Sequence, residues 1–390
     1  MVNDLRVHMV IIMYMAGCIT ILIYNAVAIW RKNRVNRLML RNKDRWVKTI
    51  LKKFDQNFDK NRERRAIFGR RGSDVRVYSR LKRVEELIAF SAALNSIKDE
   101  DGGELYGRYM GMLSQHGVFQ RLAVVYKKRR NEERAYFAYF ISQHPININE
   151  LLISLVEDSN IYCRVNVLKA LCSIGDMHGV EAILQFFSDR HIFVHHMLLA
   201  EDLYGFTGDK EALALRLWRN HSIWGGNIVL GVISFITMFS DRFKEAFLPV
   251  LQNQLLAAEV RIGVIHYYSK FFFQPAQPVL IQYLAQTDNY HIAIESAAAL
   301  RMYPGKATTQ ALVAALNSED WHVRHSAASS LVALGEYMAG IGCNVESKDC
   351  EAVGMMQYAL AQSEARVLAQ SEAGALAAQT KDMIVSDIAV

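Results

Sequence analysis

Residues 152–176 (LISLVEDSNIYCRVNVLKALCSIGD) and 312–336 (LVAALNSEDWHVRHSAASSLVALGE) align without a gap over 25 positions. They share the opening Leu152 and Leu312, Arg164 and Arg324, Leu171 and Leu331, and Gly175 and Gly335, each glycine followed by an acid. The offset is 160 residues, five periods of 32. A period in that range marks a chain built of stacked supersecondary units, none of which buries its apolar face alone.

Units recur between the two copies. In 277–305, Ala297, Ala298 and Leu300 fall near the places of Ala327, Ala328 and Leu331 after one inserted residue, and in 245–273 Val260-Arg261 matches Val323-Arg324. The segments 180–207 and 211–240 are apolar at helical spacing without the arginine. Each unit reads as two helices joined by a polar turn: the first carries residues such as Leu312 and Leu316, and the second opens at Val-Arg and closes at the glycine. The Asp/Asn turn, the Val-Arg opening and the Ala-Ala-x-x-Leu stretch resemble the HEAT-repeat family over roughly residues 148–336. The resemblance implies an all-α, armadillo-like solenoid of about six units. It also implies that Arg164, Arg261 and Arg324 are structural, bonding turn carbonyls or acids of a neighbouring unit, and that an extended face binds another protein.

Helical segments at 80–147 (Leu81, Val84, Leu87, Ile88, then Phe119 to Phe140), interrupted by an acidic loop at 98–104, are expected to cap one end. A polar loop from Cys343 to Cys350 and an Ala-rich helical stretch over 351–379, within 337–390, are expected to cap the other.

Ahead of the repeats, the 22 residues from Met9 to Trp30 carry no charge and are followed at once by Arg31, Lys32 and Arg34. As a helix they span about 33 Å against a hydrocarbon core of about 30 Å. Between Arg31 and Lys48 stand eight basic residues against Asp44 alone, which places the C-terminal part in the cytoplasm and residues 1–8 outside. A cleaved signal peptide is the rival, with Ala26-Val27-Ala28 as its site, but its apolar region is shorter and its charge precedes that region. Five scattered cysteines, Cys18 within the apolar run, form no CxxC pair, which fits a reducing compartment. The expected location is a bacterial inner membrane, crossed once.

Residues 31–80 hold 18 basic and 5 acidic side chains, an excess of +13; against +6 for the whole chain and a balanced 1–30, residues 81–390 carry −7. The basic character thus belongs to the juxtamembrane segment 31–79, where anionic lipid headgroups attract it. Nucleic acid is not expected as a partner of the acidic body. Arg34, Arg37, Arg41, Arg45, Lys48 and Lys52 recur at spacings of three and four opposite Val47, Ile50, Leu51, Phe54 and Phe58, predicting an amphipathic helix with a basic face toward the membrane. The run Arg62–Arg71 has the chemistry to grip a phosphorylated ligand, although no Asp/Asn-x-Ser-x-x-Gly motif of a PilZ-type reader accompanies it.

No phosphate-binding P-loop, GxGxxG or GxSxG occurs, so no catalytic residue and no cofactor is assigned. His191 and His195, four apart with His196, Asp189, Glu201 and Asp202 nearby, are weak candidates for a metal on one helix face. HExxH is missing, as are the paired His-Glu steps of deoxyhypusine hydroxylase, and the HEAT-type phycobilin lyases lack the apolar segment. Phe271, Phe272, Phe273 and Trp321 are candidate partner contacts, since three adjacent phenylalanines cannot share one side of a helix. The expected function is a membrane-anchored scaffold, not an enzyme, binding a membrane-associated protein; single-pass HEAT proteins of this look resemble accessory subunits of exopolysaccharide glycosyltransferases. The alternative is a metal- or nucleotide-dependent enzyme or ligand sensor using the His191 cluster or Arg62–Arg71.

Overall fold

The computed structural model describes residues 21, 24–25, 37–52, 77–100, 103–157, 159–286, 289–336, 351–366 and 368–370. Among them no strand occurs, and the many short helices are consistent with an α-solenoid. The chain divides into two compact units, residues 1–183 with 205–208 and residues 184–204 with 209–390.

In the first unit, α1 covers 37–52 and α2 covers 77–81. They are followed by α3 (Val84–Glu100), α4 (Glu104–Gln115), α5 (Val118–Lys127), α6 (Asn131–Gln143), α7 (Asn149–Ile153) and α8 (Ile161–Ile174); the boundary between units falls within α9 (Met177–Asp189). The run expected from Phe119 to Phe140 is thus two helices, and the run from Leu81 breaks at 82–83. The acid-rich stretch expected as a loop begins inside the last turn of α3, where Lys98 complements the helix C-terminus. Helix α6 packs between α3 and α8, and α5 meets α7. A chain of rings fills the centre: Phe140 lies 6.0 Å from Phe90 and 5.9 Å from Phe119, and Tyr126 stacks on Phe137 at 4.8 Å. The Tyr126 hydroxyl donates to the Leu81 carbonyl at 2.9 Å, so this buried oxygen is not stranded.

The second unit holds α10 (His196–Tyr204), α11 (Lys210–Arg219), α12 (Gly226–Phe239), α13 (Lys244–Gln252), α14 (Ala258–Lys270), α15 (Gln277–Gln286), α16 (Tyr290–Leu300), α17 (Lys306–Ala315), α18 (Trp321–Ala333) and α19 (351–366). The even-numbered helices α10 to α18 pack in sequence order as one layer, and α15 and α17 pack in another. Small residues set the spacing. A Cβ on Gly231 would stand 2.4 Å from Leu199 Cδ2 and 3.2 Å from its Cβ, so glycine sets this close approach; one on Gly263 would stand 2.5 Å from Leu230 Cδ1, a methyl that would have to move aside. At the next steps Ala297, Ala327 and Ala328 are buried, Ser330 Oγ donates to the Ala297 carbonyl at 2.7 Å, and Ser326 Oγ donates to that of Ile294 at 2.9 Å.

The repeated polar and glycine positions close the helix ends. Asn160, Asp209, Asn289 and Asp320 are N-caps; Asn160 accepts from Cys163 N at 2.9 Å and Asp320 from Val323 N at 3.0 Å, satisfying amides that have no partner within the helix. The second helix of the last repeat therefore starts at Trp321, two residues before the expected Val-Arg pair, because the cap lies at Asp320. Gly175 (φ +80°) and Gly335 (φ +76°) take the left-handed conformation, letting Asp176 N and Glu336 N reach back to Leu171 O and Leu331 O at 3.1 and 2.9 Å.

Candidate interaction surfaces

Helix α1 separates charge from apolar mass. Arg37, Arg41, Arg45, Lys48 and Lys52 are exposed, while Trp46 and Ile50 are fully buried. Trp46 lies edge-on to Phe90 at 4.9 Å, its Nε1 donates to Glu86 Oε2 at 2.9 Å, and the Arg80 guanidinium covers its face at 4.1 Å while donating to the same carboxylate at 2.7 Å. Trp46 is thus the anchor, a residue absent from the expected apolar stripe; Val47 is only half-buried and Leu51 is exposed. Arg31, Lys32, Arg34, Phe54, Phe58 and the run Arg62–Arg71 lie outside the described residues. So does Met9–Trp30 apart from the helical Ile21, Tyr24 and Asn25, all exposed. Among the described residues no helix is long and apolar enough to cross a membrane.

The expected His191–His195 helix face is not formed. His191 sits beyond the end of α9 with φ +51°, where its amide reaches Ser188 O at 3.1 Å and that of Ile192 reaches Phe187 O at 2.8 Å; the next helix opens only at His196. A turn conformation closing α9 has displaced the 3.6-residue register that would align them. His195 stacks on His196 at 4.6 Å, and the Asp189 carboxylate accepts from Gln185 Nε2 at 2.7 Å. Among the described residues no group of three or more His, Cys, Asp or Glu is placed to hold a metal. Burial, then the neighbouring His195 and His266, push the His196 pKa down. His266 Nε2 bonds Glu295 Oε2 at 2.9 Å, and that bond holds the carboxyl below its ordinary range.

The phenylalanine triplet follows α14 and is not helical. Phe271 packs on Tyr267 at 4.9 Å, Phe273 stacks on Tyr268 at 6.0 Å, and Phe272, against Tyr303 at 5.0 Å, is the exposed member. Trp321 is also exposed, stacked on His325 at 5.1 Å with Tyr358 at 6.4 Å.

One polar centre carries no sequence signature. His144, fully buried, places Nε2 3.0 Å from Ser91 Oγ and Nδ1 3.2 Å from the Tyr106 hydroxyl, with Phe140 beside its ring at 4.9 Å. Burial, then Lys98, lower its pKa to about 4, so the ring is neutral at pH 7 and uses one donor and one acceptor. A serine, histidine and tyrosine so connected have the parts for nucleophilic chemistry, yet both Ser91 and His144 are buried. The network ties α3, α4 and the end of α6 together.

The turn between α17 and α18 is built around Arg324. Its Nη1 donates to the carbonyls of Ser318 and Glu319 at 2.7 and 3.0 Å, and Nη2 lies 3.6 Å from Glu351 Oε2. The carbonyls belong to its own turn, not to a neighbouring unit, because a helical side chain leans toward the helix N-terminus. Residues 309–338 match the HEAT repeat. Among curated proteins none matches the chain. The matched HEAT unit contains the cap Asp320, Arg324, the paired Ala327 and Ala328 and the closing Gly335. Arg164 and Arg261, which hold the same place in other units, share with Arg324 a buried Nε that has no hydrogen-bond partner among the described residues; Arg261 lies 5.5 Å from the centre of the Tyr283 ring. HEAT repeats typically serve as protein-interaction modules, and the match over these residues suggests a helical repeat protein.

Proposed function

We propose that the protein is a single-pass, membrane-anchored scaffold whose HEAT repeats bind a membrane-associated protein. The observation that carries the reading is the HEAT match at 309–338 on a stack of similar helix pairs. Stacked helix pairs offer side chains of many successive turns to a partner. The apolar stretch Met9–Trp30 is the proposed membrane span, with the N-terminus outside and the repeats on the cytoplasmic side of a bacterial inner membrane. The exposed basic residues of α1 would then face anionic headgroups, while Trp46 fixes that helix to the first unit. Tethering raises the effective concentration of a partner confined to the same bilayer. A glycosyltransferase of exopolysaccharide synthesis is the partner class suggested by resemblance.

The test is purification of the full chain in mild detergent beside a shortened chain beginning at Lys43, with mass spectrometry of what is retained. A membrane protein held in fixed ratio by the full chain supports the scaffold. A chain that elutes alone, carrying metal or a small ligand in stoichiometric amount, refutes it.

A further inference from the structure

The starts of α10, α12, α14, α16 and α18 lie along one edge of the second unit. Adjacent members run parallel, as their cross-contacts advance together along both partners. Asn227 Nδ2 donates to Ile192 O at 3.2 Å while Gly231 meets Leu199; Gly263 meets Leu230 while Lys270 Nζ donates to Thr237 O at 2.8 Å. His266 bonds Glu295 while Tyr303 Oη donates to Tyr268 O at 3.2 Å, and Ser326 and Ser330 reach Ile294 and Ala297.

The start of each of these helices displays one large apolar side chain, in the preceding turn (Phe193, Ile223, Leu255) or at the first helical residue (Tyr290, Trp321). Leu255 is 97% exposed and the other four between 45% and 72%. Tyr290 and Trp321 directly follow their N-caps, a position where a polar residue would fit equally well. In the first unit the exposed Ile161 and Tyr162 open α8. A scattered exposed apolar residue means little; one at each of five successive helix starts along the same edge is a pattern.

We infer that this edge is a lipid-contacting ridge, whose five tips enter the interfacial layer of the bilayer to which the chain is tethered. The inference rests on the membrane anchor proposed above. Two features favour lipid over a protein groove. The tips belong to successive helix starts whose axes are about 8–10 Å apart, so they form a row and not a continuous apolar core of the sort protein interfaces bury. Their chemistry, Trp and Tyr beside Phe, Ile and Leu, is that of interfacial anchors. Charge at the edge is mixed: Arg190 and Arg219 flank Phe193 and Ile223, Glu259 and Glu319 lie beyond Leu255 and before Trp321, and the Asp320 carboxylate is turned back onto Val323 N. Apolar insertion, more than attraction to anionic lipid, therefore carries the contact, and it persists in zwitterionic vesicles.

The full chain, with Cys18, Cys343 and Cys350 replaced by serine and the buried Cys163 and Cys172 retained, is reconstituted in phosphatidylcholine vesicles with a fluorescent label on Phe193→Cys, Leu255→Cys or Met302→Cys. Met302, exposed in the loop after α16, is the opposite-edge control. The expected result is quenching by lipid-borne nitroxide about threefold stronger at 193 and 255 than at 302, with a blue-shifted emission. Vesicle-bound protein whose three labels are quenched equally by aqueous iodide overturns the ridge alone. Protection at 193 and 255 that appears only on adding a co-purified protein assigns the edge to a protein partner and also overturns it. A chain that does not float with the vesicles overturns the anchor and the ridge together.

Discussion

His144 makes the first unit sensitive to mild acid. Unfolded, its imidazole titrates near 6.5; folded, burial between Ser91, Tyr106 and Phe140 lowers that to about 4. The unfolded state binds the proton more tightly, so stability rises with pH between those values and falls on acidification. Two and a half pH units at 1.36 kcal/mol each put the loss at about 3 kcal/mol by pH 4, with about 2 kcal/mol gone by pH 5. The side chain is fully buried, so solvent screening does little to reduce the effect. The assay is urea denaturation at a series of pH values from 7.5 to 4, with hydrogen exchange of α3 and α6 reporting the first unit. The comparison is His144→Gln, which keeps polar atoms for Ser91 and Tyr106 but does not titrate. The native chain loses stability along the stated curve and the variant loses only the remainder due to other groups. Equal slopes in the two proteins would refute the reasoning, whatever the variant's absolute stability.

Trp46→Ala removes the side chain that fixes α1 and leaves Glu86 without the indole donor; a cost of about 3–5 kcal/mol is expected, read as proteolytic release of α1 before the rest of the first unit opens. Gly231→Ala, which in an open helix would stabilise by up to about 1 kcal/mol, instead drives a methyl into Leu199 and lowers the stability of the second unit by about 1–3 kcal/mol in thermal denaturation. Asp320→Ala strips the N-cap of α18 at a cost of about 0.5–2 kcal/mol, detected as faster amide exchange at Val323 than in the native chain.

The fold was legible where the sequence repeats. Gly175 and Gly335 recur because a helix ends at each in a left-handed turn, and Asn160 and Asp320 recur because each caps a helix, so local rules applied at a 160-residue offset locate the same device twice. Periodicity misled where one residue outweighs the pattern. On α1 the stripe pointed to Val47 and Leu51, but Trp46, one position away, has both the larger apolar surface and an indole donor within reach of Glu86. It misled again at His191, where a spacing of four means a shared face only while the helix continues, and the helix has already ended. The His144 centre joins residues 53 and 38 positions apart, a separation that leaves no periodic trace in the chain.

The central claim, a repeat protein held in a bilayer by Met9–Trp30, is tested most directly by alkaline carbonate extraction of bacterial membranes carrying the full chain or the shortened chain beginning at Lys43. Carbonate strips proteins bound only at the surface, including any held by the turn ridge or by α1 alone. The account predicts that the full chain stays in the membrane pellet and the shortened chain passes to the supernatant. Release of the full chain, or retention of both, would contradict it.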